Sequence, residues 1–153
     1  MSRPDTSRFA LHPQLEKDTV EVARWPLCRV LLMNDRTYPW LILVPQRADI
    51  TEMHHLEPED RTRLMHEMAL AARLLEGATK AHKINVAALG NMVPQLHVHV
   101  IARFTEDPAW PRPVWGVRPA EPYDEASLSH TLRLLREFMT PPRPDAPGKP
   151  RTV

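Results

Sequence analysis

Hydrophobic and polar positions along the chain follow two different periods. Thr19 to Val22 alternates as a short strand, with Val20 and Val22 on one face. Cys28 to Met33 is apolar on both faces and so belongs inside a sheet. Asn34-Asp35-Arg36-Thr37 is polar and reads as a turn, and Trp40 to Val44 is the next strand, ended by Pro45. A hairpin from Cys28 to Val44 follows. The segment from Phe9 leading into these strands reads as extended. From Pro58 to about His82 the period becomes helical. Leu64, Met68, Ala71, Leu75 and Ala78 recur three or four residues apart, and Met65, Ala69 and Ala72 widen that stripe into one core-facing side. Pro58 suits a first helical position, where its missing N–H costs nothing, and Gly77 loosens the last turns. Ile84 to Leu89 is another apolar run. A turn at Gly90-Asn91 separates it from a strand that reaches Ile101. Asp124 to Met139 is a second helix, with Asp124 as its N-cap and Leu128, Leu132, Leu135 and Met139 on its buried side. Strands segregated from helices predict an α+β fold: an antiparallel sheet of about five strands, one long helix and a C-terminal helix.

Composition narrows this picture. A chain of 153 residues suits one domain, placed at residues 1–140. There are 17 prolines and 4 glycines. One proline cluster, residues 108–122, interrupts regular structure between folded elements. The other lies in the tail 141–153, which cannot form a helix or a central strand. The formal net charge is +1, with acids and bases mixed, so no basic stripe points to nucleic acid. The longest apolar run, Leu41 to Val44, is far too short to span a bilayer, and no membrane partner is expected. Met1-Ser2-Arg3-Pro4-Asp5 carries no apolar secretory segment. Cys28 is the single cysteine, which leaves no internal disulfide and favours a cytoplasmic setting.

One stretch carries the candidate chemistry. In Pro94-Gln95-Leu96-His97-Val98-His99-Val100-Ile101 two imidazoles stand one residue apart within an apolar run. Along a strand, residues two apart share a face. His97, His99 and Gln95 therefore project together, while Leu96, Val98 and Val100 turn into the core. Neutral imidazole is a nucleophile and a proton shuttle near pH 7, and it can attack an electrophilic phosphorus to give a phosphoramidate. Neighbouring groups can hydrogen-bond the phosphoryl oxygens as charge develops. As a bare pattern two such histidines also fit a structural role or a zinc site. Zinc needs three or four ligands, and no cysteine pair or His-Glu-x-x-His pattern completes the set, so no metal is expected.

In context these residues resemble the histidine triad (HIT) superfamily of nucleotide hydrolases and transferases. Its pattern alternates three histidines with apolar residues, and Gln95-Leu96-His97-Val98-His99-Val100-Ile101 matches with Gln95 in the first histidine's place. The likeness runs from Trp25 to about Trp115 and takes in the hairpin, the Gly90-Asn91 turn and the segment Asp107 to Gly116, which resembles the Pro/Trp-rich stretch of a bacterial branch. The resemblance implies a HIT-like fold and a homodimer. It implies action at the α-phosphate of a purine nucleotide or dinucleotide, such as a dinucleoside polyphosphate or a nucleoside phosphoramidate, without a cofactor. His97 is then the nucleophile, His99 contacts the phosphate or the nucleophile's surroundings, and Gln95 binds a phosphate oxygen. Asp35, with Asn34 beside it, takes the position of the ribose ligand, though each also reads as a turn residue. Asn91 takes the position of a phosphate contact or simply holds its turn. Arg103, four residues past His99, either meets outer phosphates or is solvated. Met33, Leu31 and Trp25 line the base pocket or belong to the core, and Trp110 and Trp115 cover the site or a subunit contact. Trp40 stands where many members place a further histidine. The other histidines, His12, His54, His55, His66, His82 and His130, read as surface or capping residues. The rival reading is a nucleotide-binding protein with little turnover, because the first histidine is replaced.

Overall fold

The computed structural model describes residues 8–139. The proline-rich tail at 141–153 and residue 140, the last of the expected domain, lie outside the described residues, as do residues 1–7. The described chain runs α1 (Pro13–Asp18), β1 (Thr19–Arg24), β2 (Cys28–Met33), β3 (Trp40–Pro45), α2 (Pro58–Thr79), β4 (Lys83–Ala87), β5 (Val98–Arg103) and α3 (Glu125–Met139). The strands form one five-stranded sheet in the order β1-β2-β3-β5-β4, with every pairing antiparallel. β5 is last in sequence yet lies between β3 and β4, so the histidine strand is what joins β4 to the rest of the sheet.

Each face of the sheet has its own core. Val30, Leu32, Leu41, Leu43, Val98, Val100 and Ala102 face α2 and α3 and meet Leu64, Ala71, Leu75, Leu132 and Leu135. Leu31, Trp40, Ile42, Val44 and Ile101 face the other way, under Leu15, Val93, Ala109 and Val114. Fully burying one such aliphatic side chain contributes about 1.5–3 kcal/mol, so either layer alone outweighs most polar contacts of the fold.

The helices depart from the hydrophobic pattern in three places. The segment expected to be extended contains α1, a six-residue helix. His12 caps it, its Nδ1 accepting the Gln14 N–H at 3.1 Å, and Pro13 opens it. Six residues are too few for a helical period to show, and histidine is not among the usual capping residues. The stripe of α2 is narrower than expected: Met65, Ala69 and Ala78 are exposed. Conversely, Glu67 is buried within that stripe. The helix ends at Thr79, short of the expected His82, and stops at Lys80 in a left-handed conformation (φ 55°). At α3, Asp124 does cap the helix, accepting the Ser127 N–H at 2.8 Å.

Glu67 is buried for a reason. The chain turns between β1 and β2 at residues 25–27, and this turn lies against α2. The two oxygens of Glu67 accept the N–H groups of Leu27 and Cys28, each at 2.8 Å. Beside it, the Trp25 indole N–H donates to the carbonyl of Met139 at 2.9 Å, which ties the same turn to the end of α3. A buried amide left without an acceptor costs about 1–3 kcal/mol. Glu67→Ala orphans two of them, so it is expected to lower unfolding stability by roughly 3 kcal/mol in urea titration, with Glu67→Gln losing clearly less.

Candidate active site

The site grows from β5, an interior strand flanked by β3 and β4. Strand alternation puts Val98, Val100 and Ala102 into the helix-side core and leaves His99, Ile101 and Arg103 on the opposite face. The strand begins only at Val98, so His97 and Gln95 lie on the approach to it rather than within it. His97 and His99 are still neighbours, with ring centroids 5.0 Å apart and planes at 71°.

Each imidazole has its tautomer fixed by a partner that can act in only one way. The Nδ1 of His97 lies 2.7 Å from the carbonyl oxygen of Gln95. A carbonyl only accepts, so Nδ1 carries the hydrogen and Nε2 keeps its lone pair. The Nδ1 of His99 receives the Trp40 indole N–H at 3.0 Å. An indole only donates, so the hydrogen of His99 sits on Nε2. Trp40 comes from β3, whose Ile42 pairs directly with His99. Trp115 closes the far side, 5.0 Å from the His99 ring and nearly perpendicular to it. Burial, and then the neighbouring His97, push the pKa of His99 down to about 4. At neutral pH it is an uncharged hydrogen-bond donor.

Both imidazoles line a cavity of about 330 Å³. Its walls include Leu15 and Asp18 of α1, Met33 of β2, the loop from Leu89 to Val93, and Trp115. That volume is at the lower end of the usual range for small-molecule sites, roughly 300–1,000 Å³. Asn91 is exposed on this wall and Gly90 turns the chain with φ 71°.

The other residues singled out in the sequence are placed elsewhere. The amide of Gln95 turns away from the cavity: its Nε2 donates to the Ala10 carbonyl at 2.8 Å and its Oε1 accepts the His12 N–H at 2.9 Å. Gln95 thus pins the segment that delivers α1 to the cavity. Asp35 is buried, and its Oδ1 accepts the N–H groups of Thr37 and Glu121. Asn34 Oδ1 accepts the Tyr123 N–H at 3.0 Å. Both side chains dock the hairpin turn onto the chain entering α3, and neither lines the cavity. Arg103 is neither solvated nor open to a phosphate. It is 1% exposed and its donors are spent on the Asp107 carboxylate, the Asn85 side chain and the Arg112 carbonyl. Leu31 and Trp25 are core, while Met33 does reach the cavity. Trp110 stacks under Arg103 and leaves the cavity to Trp115.

Asp18, the last residue of α1, is a cavity residue that the sequence pattern did not single out. Among the described residues it is the one carboxylate of the cavity wall, half-buried, with Oδ2 accepting from Gln14 Nε2 at 2.7 Å. The only sequence signal for it was the His-Pro pair opening α1. Among the described residues, no group of three or more His, Cys, Asp or Glu side chains is arranged to hold a metal ion, and no helix is long and apolar enough to cross a membrane.

Comparison with known proteins agrees with this arrangement. A family model described as the HIT domain matches residues 14–106. The fold superposes on a histidine triad protein from Sinorhizobium meliloti with a TM-score of 0.84 and 49% identity, covering 88% of this chain and 99% of that one. Histidine triad proteins from Bradyrhizobium japonicum and Marinobacter aquaeolei superpose equally well, each at TM-score 0.84 and 45% identity; each match covers 86% of this chain, with 98% and 96% of the relatives. A search of curated proteins gives no match.

The depressed pKa of His99 has a consequence for stability. The folded protein holds this ring neutral, whereas the unfolded chain protonates it near its ordinary 6.5. The stabilisation is complete above pH 6.5 and is lost as the pH falls towards about 4, on the order of 3 kcal/mol across that window. Urea melts between pH 7 and 4 are expected to show this loss, and His99→Asn is expected to flatten that part of the curve.

Proposed function

The chain belongs to the HIT domain family, and on that premise we propose that it acts at the α-phosphorus of a nucleotide, as a hydrolase or nucleotidyl transferase, through a covalent intermediate on His97. The observation that carries this reading is the tautomer of His97. With its hydrogen held on Nδ1 by the Gln95 carbonyl, Nε2 presents a lone pair in a cavity of nucleotide size. Nε2 forms a bond to phosphorus while the bond from phosphorus to the leaving group breaks, and the leaving group takes up a proton. Water then attacks phosphorus, the N–P bond breaks, and a nucleoside monophosphate is released with the imidazole regenerated.

His99 supports this chemistry as a hydrogen-bond donor. Its Nε2–H suits a phosphoryl oxygen gaining negative charge, and a neutral imidazole is too weak an acid to give that proton away. Asn91 offers an amide to the same phosphate. Asp18 offers a carboxylate oxygen to the ribose hydroxyls, a role that the buried Asp35 is poorly placed to fill. Leu15 and Met33 provide apolar surface for a purine. The observation favouring the rival reading, nucleotide binding with little turnover, is the Gln95 side chain bound to Ala10 and His12.

Adenosine 5′-phosphoramidates and diadenosine polyphosphates distinguish the two readings. Turnover is expected, reduced roughly a thousandfold or more by His97→Ala and unaffected by chelator. A quenched reaction is expected to show a nucleotidyl adduct on His97 by mass spectrometry. Tight binding with no turnover and no adduct would establish the rival.

We also place the working protein in the cytosol, which its single buried cysteine suits, and as a homodimer. β4 is an edge strand with Val86 45% exposed, and Leu89 and Met65 expose further apolar surface. Light scattering is expected to give twice the 17.6 kDa chain mass, and Val86→Asp to shift it towards the monomer.

A further inference from the structure

His97 lines a second cavity as well as the first. This one, of about 240 Å³, is bounded by residues 51–54, from Thr51 to His54, and by Leu89, Gly90 and Leu96. The two cavities share His97, Leu89 and Gly90, so a phosphorus held at His97 borders both. The first is the more apolar, with Leu15, Met33 and Trp40 in its wall, and suits a base and ribose. The second is small and polar, with the Thr51 hydroxyl, the Glu52 carboxylate and the His54 imidazole at its rim.

The charges of this pair of cavities are informative. Among the described residues, no Lys or Arg lines either one. The nearest candidate in sequence, Arg103, is buried and committed to Asp107. Among the described residues, the charged side chains in the two walls are Asp18 and Glu52, both acidic. Sites that take polyphosphates offset the anionic charge with Arg, Lys or metal ions. Here a polyphosphate leaving group would enter a cavity where the one full charge among the described residues, that of Glu52, has its own sign. A leaving group carrying an ammonium would meet Glu52, which forms no ion pair among the described residues.

Resting on the reading of His97 as the nucleophile, we propose that the cavity at Thr51, Glu52 and His54 is the leaving-group subsite. Its carboxylate selects substrates with one phosphate and a positively charged leaving group over polyphosphates. In the reaction drawn for such a substrate, Nε2 of His97 bonds to phosphorus as the P–N bond of a nucleoside phosphoramidate breaks. The departing nitrogen takes a proton from water at the exposed mouth of this cavity. The hydroxide equivalent then displaces His97 from phosphorus, so that one water is consumed for one amine and one nucleoside monophosphate.

Three adenosine 5′-phosphoramidates of similar size test this, with amine portions ending in an ammonium, a methyl or a carboxylate, alongside diadenosine tetraphosphate. The expected order of kcat/KM is ammonium, methyl, carboxylate, with the tetraphosphate last. Glu52→Gln is expected to reduce the preference for ammonium over methyl by about fivefold, and Glu52→Lys to reverse it, as suits one solvent-exposed charge pair. The methyl compound reports on His97 chemistry alone. If it turns over and Glu52 substitutions leave the order unchanged, the subsite assignment is overturned while the proposed function stands. If no compound turns over, the reading of His97 fails. Dissociation constants of the same three compounds for His97→Ala then decide the subsite: a Glu52-dependent order supports it, and equal affinities overturn it.

Discussion

The structure depends on a strand buried on both faces that nonetheless carries polar side chains on one of them. All six residues of β5 are buried. Its helix-side residues need nothing but packing. On the other face, His99 and Arg103 carry five ring and guanidinium nitrogens between them, and a buried polar group without a partner costs more than most contacts contribute. Their partners explain much of the surrounding chain. Trp40 must sit on β3 two residues before Ile42, the direct partner of His99, and Asp107 must fold back four residues beyond Arg103. Asp107 then accepts the N–H groups of Phe104, Ala109 and Trp110 as well, so that satisfying one arginine also sets the course of the loop that brings Trp115 over His99.

The same requirement fixes the protons of the site. A carbonyl at His97 and an indole at His99 are each limited to one role in a hydrogen bond, so the two rings carry their hydrogens on opposite nitrogens. One ring is left with a free lone pair and the other with a free N–H. A further histidine in the place of Trp40 would be able to donate or accept, and the tautomer of His99 would then follow its neighbours. Trp40 removes that freedom and, by excluding water from the ring, also helps to keep His99 neutral.

The walls of the site come from parts of the chain that hold one another in place. Gln95 binds Ala10 and His12, which lead into α1, and α1 returns Leu15 and Asp18 to the cavity that His97 lines. Asn34 and Asp35 tie the hairpin turn to residues 121–123, and a Glu121–Arg36 ion pair at 3.1 Å adds to the same junction. These residues look functional by type and by place in the sequence. Their polar atoms are instead used to assemble the walls, which leaves the cavities, among the described residues, with acidic side chains and no Lys or Arg.

The elements of the fold were legible in the chain because burial imposes a period that a sequence can display. β2 was readable to the residue, and β3, α2 and α3 nearly so, since each spans enough residues for alternation or a helical stripe to emerge. The pair His97 and His99 was legible for the same reason. What the sequence did not contain was the destination of each polar side chain. Asp18 and Asp35 are both aspartates beside a strand, and only the packing of α1 and of residues 118–123 puts one in the cavity and buries the other. Arg103 and Gln95 find their partners by the same kind of long-range meeting. A hydrophobic side chain needs only an interior, and local pattern announces which way it turns. A polar one needs a particular partner at hydrogen-bonding distance, and only tertiary structure determines which partner arrives.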